Sequence, residues 1–296
     1  MTLDVKKFLP SDPPCQGHVR IALVGDVVGK PGMNIVCDAI RWMKQHLKAN
    51  LVIVNAENAA DGTGLRQKEY KRLIEAGAGA ITLGDHIYRK REIIETLNRE
   101  ENIVKPANFP VEAAGKTHCI VHTDLGHPVA VISLLGRVFM RPVDCPFHAS
   151  LREVEKLADE VKLRVVDFHA EATSDKQTLG RLLDGRVTAV LGTHTHVATA
   201  DEQILPGGTA FQCDVGMTGP YESILGREIA PVTQATMTFE PITFDVAKKD
   251  VRLAATWFDA DPSTGKCSQI GRIQWPLELI QQWNAEEADF RNRLPL

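Results

Sequence analysis

The apolar residues fall into short continuous runs, each closed by a polar turn and most followed by a stretch with helical spacing. V-R-I-A-L-V at 19–24 ends in Gly25-Asp26, after which Ile35, Val36, Ala39, Ile40, Met43 and Leu47 recur at intervals that mark one helical face. L-V-I-V-N at 51–55 runs on to Glu57-Asn58, and the spacing predicts a helix over 67–76 stopped by Gly77. A-I-T-L-G-D-H at 80–86 repeats the design, with a helix predicted over 89–99. V-A-V-I-S-L-L-G at 129–136, a helix over 150–162 and R-V-V-D-F-H at 164–169 follow. Ser174 reads as the N-cap of a helix that runs to Asp184, with Gly185 past its end. The run at 187–191 stops at Gly192, just before His194 and His196. Beyond Val197 the helical signal fades, and strands are predicted over 209–214, 234–245, 251–259 and 269–275.

Alternating strands and helices signal an α/β fold with a largely parallel sheet in its first half. Near-continuous apolar strands imply sheets covered on both faces. Two packed sheets with flanking helices over residues 18–296 form the simplest single domain. Residues 1–17, with three prolines and no periodicity, read as an N-terminal extension.

Composition narrows the function. The chain is 44% hydrophobic and 24% charged, as in ordinary globular proteins, and its formal net charge of −4 gives no reason to expect broad binding to nucleic acid or anionic membranes. The six cysteines are scattered without a C-x-x-C pair, which argues for free thiols in a reducing compartment. The first ten residues lack an apolar signal-peptide core, and no apolar run approaches the ~20 residues that span a bilayer. The expectation is a cytoplasmic protein.

Five strand ends carry groups able to hold a metal: Asp26, Glu57-Asn58, Asp85-His86, His169 and His194-x-His196. Each alone has a plainer explanation as a helix cap, an Asx-turn, a solvated acid or a core histidine. Together they occupy one topological place, because side chains at the carboxyl ends of strands in an α/β sheet face a common crevice. Extended backbone would point His194 and His196 to the same side. Carboxylate, amide oxygen and imidazole suit Fe, Mn or Zn, and even without His86 the seven remaining side chains are too many for one closed zinc site but suit two ions sharing a bridging carboxylate. Other motifs fail: G-D-V-V-G-K-P at 25–31 has the wrong glycine spacing and a proline where a P-loop needs Ser or Thr. Arg137 and Arg141 read as surface or ion-pair arginines.

These residues resemble the binuclear metallophosphoesterase superfamily, and N-A-E-N-A-A-D-G-T-G-L, D-F-H-A-E-A-T-S-D-K and M-T-G-P-Y-E-S-I-L-G resemble its bacterial YmdB-like branch of 2′,3′-cyclic-nucleotide phosphodiesterases. The resemblance spans about residues 20–258. It implies a calcineurin-like αββα sandwich of two mixed β-sheets flanked by helices. It also implies one divalent ion on Asp26, Asn58 and His196, a second on Asp85, His169 and His194, Glu57 bridging them, and His86 as general acid. Val28 stands where the wider superfamily has histidine, with Asn58 in compensation, and Asp85 stands where the family usually has asparagine. The glycine-rich stretch 216–226 is a candidate cover for the site, with Gly219 and Tyr221 as substrate contacts. The expected activity is hydrolysis of a small phosphodiester, a cyclic nucleotide, by a homo-oligomer. The rival reading is a regulatory or RNA-associated protein with vestigial hydrolase activity, although the charge gives RNA binding no support.

Overall fold

β-Branched and leucine residues place six-residue β1 (Val19–Val24) at the centre of a sheet whose two faces are both buried. The computed structural model describes residues 3–10 and 13–293, with side chains to Arg291. β1 pairs in parallel with β2 (Leu51–Asn55), which continues to β3 (Ala80–Thr82) and β4 (Ile103–Val104). β1's other edge pairs antiparallel with the ten-residue β12 (Val251–Ala260), which also carries β11 (Gly219–Pro220) and β13 (Cys267–Pro276). The second sheet has the order β5 (His118–His122), β6 (Pro128–Leu135), β7 (Leu163–His169), β8 (Ala189–Thr193), β10 (Ala210–Gln212), β9 (Gln203–Ile204), with parallel pairing from β6 through β10. Both sheets are therefore mixed.

Strand alternation builds the layers. Val19, Ile21 and Leu23 point between the sheets, where they join Val129, Val131, Leu163, Val165 and Phe258. Ala22 and Val24 point outward into a core shared with α1 (Gly29–Gln45), α2 (Gln67–Glu75) and α3 (Ile93–Arg99). Val166 and Phe168 of β7 likewise face α4 (Pro146–Lys156) and α5 (Thr173–Leu183) on the far side. The result is helices, sheet, sheet, helices, as the resemblance implies.

Several elements differ from the sequence-based expectation. The helix predicted over 150–162 is α4, which starts four residues earlier, because Pro146 occupies the first helical turn with its missing N–H at no cost. The helix predicted over 89–99 begins only at Ile93, after turns. Ser174 lies inside α5; Ala172 holds the N-cap position without a side-chain bond. The stretch 234–245 is not a strand: α6 (Ile229–Thr238) occupies its first half and ends at Phe239, whose φ of 58° breaks the helix. The chain also closes with a helix that fading periodicity concealed, α7 (Leu277–Arg293), seated through Leu279, Ile280 and Trp283.

Of the 1–17 extension, residues 1, 2, 11 and 12 lie outside the described residues. A 3₁₀ turn at Val5–Phe8 packs on the domain, the Trp275 Nε1–H donating to the Phe8 carbonyl at 2.7 Å. No helix among the described residues is long and apolar enough to cross a membrane.

On α4, buried Glu153 bonds Thr117 (2.8 Å), His118 (2.9 Å) and Lys156 (2.5 Å), tying the helix to the edge of the second sheet. Burial alone would raise its pKa, but these three donors outweigh it and hold the carboxyl at about 2, below the ordinary 4.5. A depressed folded-state pKa contributes stability that is complete above pH 4.5 and disappears as pH falls toward 2. Urea unfolding should therefore show Glu153→Gln destabilised at pH 7, with a smaller deficit at pH 3.5. A deficit that grows on acidification would contradict this.

Candidate metal centre

The structure brings Asp26, Glu57, Asn58, Asp85, His86, His169, His194 and His196 together at the carboxyl ends of β1, β2, β3, β7 and β8. The strands set the depth: Asp26, Glu57 and His169 are buried, while His86, His194 and His196 line a cleft of about 310 Å³ that Glu57 also reaches. Gly84 is required there, because a Cβ would fall on the His169 ring and the Glu57 carboxylate. Ligand atoms of Asp85, His169 and His194 lie within 4.8 Å of one another, as do those of Asp26, Glu57 and His169 and those of Glu57, Asp85 and His86.

Hydrogen bonds fix where the imidazole protons sit. Thr193 Oγ1 donates to Asp167 Oδ1 at 2.7 Å and so accepts from His169 Nδ1–H at 2.9 Å, which turns Nε2 to the centre. His194 turns Nε2 to the Glu171 carboxylate at 3.1 Å, and His196 donates Nδ1–H to the Leu225 carbonyl at 3.1 Å. His169 Nε2 and His194 Nδ1 then meet at 3.0 Å, with Asp85 Oδ1 3.2 Å and Glu57 Oε2 3.3 Å from the same Nε2. Burial would lower the His169 pKa, but Glu57, Asp85 and Asp26 raise it well above the ordinary 6.5, so without a metal Nε2 carries a second proton whose place a divalent cation would take; outward N–H bonds of this kind are the usual support of metal-ligating histidines. Asp26 Oδ1 is buried without a hydrogen-bond partner and lies 3.9 Å from His196 Nε2. An unpaired buried carboxylate oxygen is costly. The donor set therefore fits divalent cations.

The electrostatics agree. Burial pushes Asp26 up to about 6, despite opposing His169 and His196. Burial would raise Glu57 as well, but the charge and bond of His169, with help from His86, hold it well below the ordinary range. Burial and then the neighbouring His169 charge push His194 down to about 4, so its imidazole is neutral at physiological pH.

The H-x-H segment differs from the expected extended geometry. His194 and His196 have φ of 102° and 64°, both left-handed. They converge because Asp26 Oδ2 accepts the His194 N–H and Asp214 Oδ2 the Thr195 N–H, both at 3.0 Å. Gly219 is buried in β11 and does not reach the cleft. Tyr221 lines a neighbouring cavity of about 590 Å³ that meets the cleft at His196 and Leu225, and its hydroxyl donates to the Met217 carbonyl at 2.9 Å. Sequence reasoning missed Thr193, Asp167, Glu171, Asp214 and Arg227. Only Glu171 had a signal, two residues past a strand-end histidine.

Among known proteins, the family model described as YmdB-like protein matches residues 22–273. The chain belongs to the YmdB-like family. It is 44% identical over 255 residues to the 2′,3′-cyclic-nucleotide 2′-phosphodiesterase of Bacillus subtilis, covering 86% of this chain and 96% of that one. A crystal structure of a hypothetical protein from Thermus thermophilus superposes with a TM-score of 0.82 at 38% identity, over 87% of this chain and 99% of the other. A phosphatase structure from Mycoplasma pneumoniae gives 0.81 at 33% identity, over 88% and 94%.

Proposed function

We propose that this YmdB-like chain is a phosphodiesterase that opens 2′,3′-cyclic nucleotides at a pair of divalent cations. The observation that carries this reading is the pair of imidazole nitrogens 3.0 Å apart beside an unpartnered Asp26 oxygen, in a chain 44% identical to an enzyme of that name. Asp26, Asn58 and His196 would hold one ion, Asp85, His169 and His194 the other, with Glu57 shared. Such a pair, when bound, supplies positive charge to phosphoryl oxygens and acidifies water.

The chain's own residues supply the rest. Water adds to phosphorus as the bond to one ribose oxygen breaks, and that oxygen needs a proton. His86 offers one from Nε2, since its Nδ1 is engaged by Asn58 Oδ1 at 2.8 Å and faces Glu57 Oε1 at 3.2 Å. Asn58 now turns Nδ2 to Glu57 and His196. Asn58 Oδ1 and Glu57 Oε1 thus hold the Nδ1–H of the protonated ring, so the proton given up is the one on Nε2 and a neutral imidazole remains. The product is a nucleoside monophosphate.

The test is metal analysis of purified protein with a rate measurement on 2′,3′-cyclic AMP. Two equivalents of metal and hydrolysis are expected; no hydrolysis with Fe, Mn or Zn overturns the reading.

Asp85 gives a second test. Its Oδ1 lies 3.2 Å from His169 Nε2 and 3.7 Å from His194 Nδ1, so it faces the centre. Asp85→Asn removes one negative charge among Asp26, Glu57 and Asp85. It is expected to retain activity, to bind the second metal less tightly, and to lower KM for an anionic phosphodiester. Asp85→Ala should lose the second metal. Metal titration and steady-state kinetics decide, and two variants alike and close to wild type would place Asp85 outside the centre.

A further inference from the structure

The cleft walls combine many carboxylates with a single strong cation. Glu57, His86, Glu171, His194, His196 and Arg227 are its ionisable lining groups. Asp26 and Asp85 stand directly behind them, His196 Nε2 facing one and His194 Nδ1 the other. Taking the proposed function, four carboxylates against two divalent ions leave the centre with no net charge to draw in an anion. Arg227 alone among the lining residues carries a permanent positive charge.

We infer that Arg227 is the residue that binds the substrate's phosphate oxygens at the mouth of the cleft. Three observations support this. Arg227 makes no direct ion pair among the described residues, Asp245 acting on its charge only from a distance, and a half-buried guanidinium without a direct partner is uncommon. It is held rigidly: Nη1 donates to the carbonyls of Asp61 (3.2 Å) and Phe244 (3.1 Å), and Nη2 donates to the carbonyl of Gly62. A guanidinium has five N–H donors, so two remain without an acceptor among the described residues, in the fork geometry that suits a phosphoryl group. Finally, the support is built around the group. Gly62 has φ of 79°, and a Cβ there would lie 2.7 Å from Arg227 Nη1.

This places Arg227 differently from the metal ligands: it meets the substrate anion and no cation. Its removal should therefore change substrate affinity and leave metal content intact. The experiment uses manganese-loaded protein, with 2′,3′-cyclic AMP as substrate and inorganic phosphate as competitive inhibitor. Arg227→Met should raise KM and the phosphate Ki together by about 10–100-fold, the range for losing a charge-assisted bond to an anion. Its kcat should stay within about threefold, and metal stoichiometry should be unchanged. Arg227→Lys should recover much of the phosphate Ki, because it keeps the charge but lacks the fork. Gly62→Ala should raise Ki in the same direction by displacing the guanidinium. Unchanged KM and Ki in Arg227→Met would overturn the inference. So would equal losses in the Lys and Met variants accompanied by lost metal and a lowered Tm, since Arg227 would then only brace the loop at Asp61–Gly62. A wild-type protein inactive with every metal would instead defeat the proposed function, and phosphate binding to the manganese protein, measured by calorimetry, would still test Arg227.

Discussion

Glu57→Gln loses half or more of the bound metal and nearly all turnover. Glu57 is 1% exposed, and both of its oxygens are engaged. Oε1 accepts from Asn58 Nδ2 at 3.0 Å, and Oε2 accepts the His86 N–H at 3.1 Å while lying 3.3 Å from His169 Nε2. It faces ligands of both proposed ions, Asn58 of one and His169 of the other. Glutamine has the same shape but lacks the negative charge, and its amide nitrogen would replace one of two oxygens that now face donors or cations. Steric repacking is thus negligible, and the loss is electrostatic: the site keeps its imidazoles and loses the anion common to both halves. Turnover follows the metal, because acidified water is the nucleophile of the proposed reaction. Elemental analysis and rates on 2′,3′-cyclic AMP provide the check, with thermal unfolding to show that the variant is folded. Full metal content with an unaltered rate would remove Glu57 from the centre.

How far the centre can be read from the chain depends on how each residue gets there. Asp26, Glu57, Asp85, His169 and His194 each follow a continuous apolar run, so the strand end is visible and the crevice follows from topology. The supporting network is not visible in this way. Asn55, Asp167 and Thr193 lie at buried positions within β2, β7 and β8. Asn55 Nδ2 reaches Asp167 Oδ2 at 2.9 Å, a contact between two sheets that no local pattern encodes. The same limit explains the misread backbone at His194 and His196. Local geometry favours extension, but tertiary bonds from Asp26 and Asp214 hold left-handed conformations instead. In α6, I-A-P-V-T-Q-A-T-M-T is rich in β-branched residues and none of it is buried, so neither propensity nor periodicity announces a helix. Arg227, just before it, is held at the cleft by the carbonyls of Asp61 and Gly62, more than 160 positions away, together with that of Phe244.

His86→Ala separates binding from chemistry. The His86 ring stands at the edge of the centre, its side chain 29% exposed, with Nε2 3.7 Å from Asp85 Oδ2. Burial lowers its pKa, but the Glu57 bond and charge, with Asp85, outweigh this and raise it above the ordinary 6.5. A larger fraction of the ring is therefore protonated at neutral pH, the state a general acid needs. Its removal leaves Asp26, Asn58, His196, His169 and His194 in place, so metal content should persist. A departing ribose oxygen is strongly basic, and turnover of 2′,3′-cyclic AMP should fall by about 10²–10⁴-fold. A nitrophenolate is stable without a proton, so the rate on bis(p-nitrophenyl) phosphate should fall far less. The wild-type rate on the cyclic nucleotide should decline as pH rises through the His86 pKa, because the acid form is then lost, and the variant should lack that limb. Equal losses on both substrates, with the alkaline limb retained, would show that His86 serves the centre by position alone and that the leaving oxygen takes its proton from elsewhere.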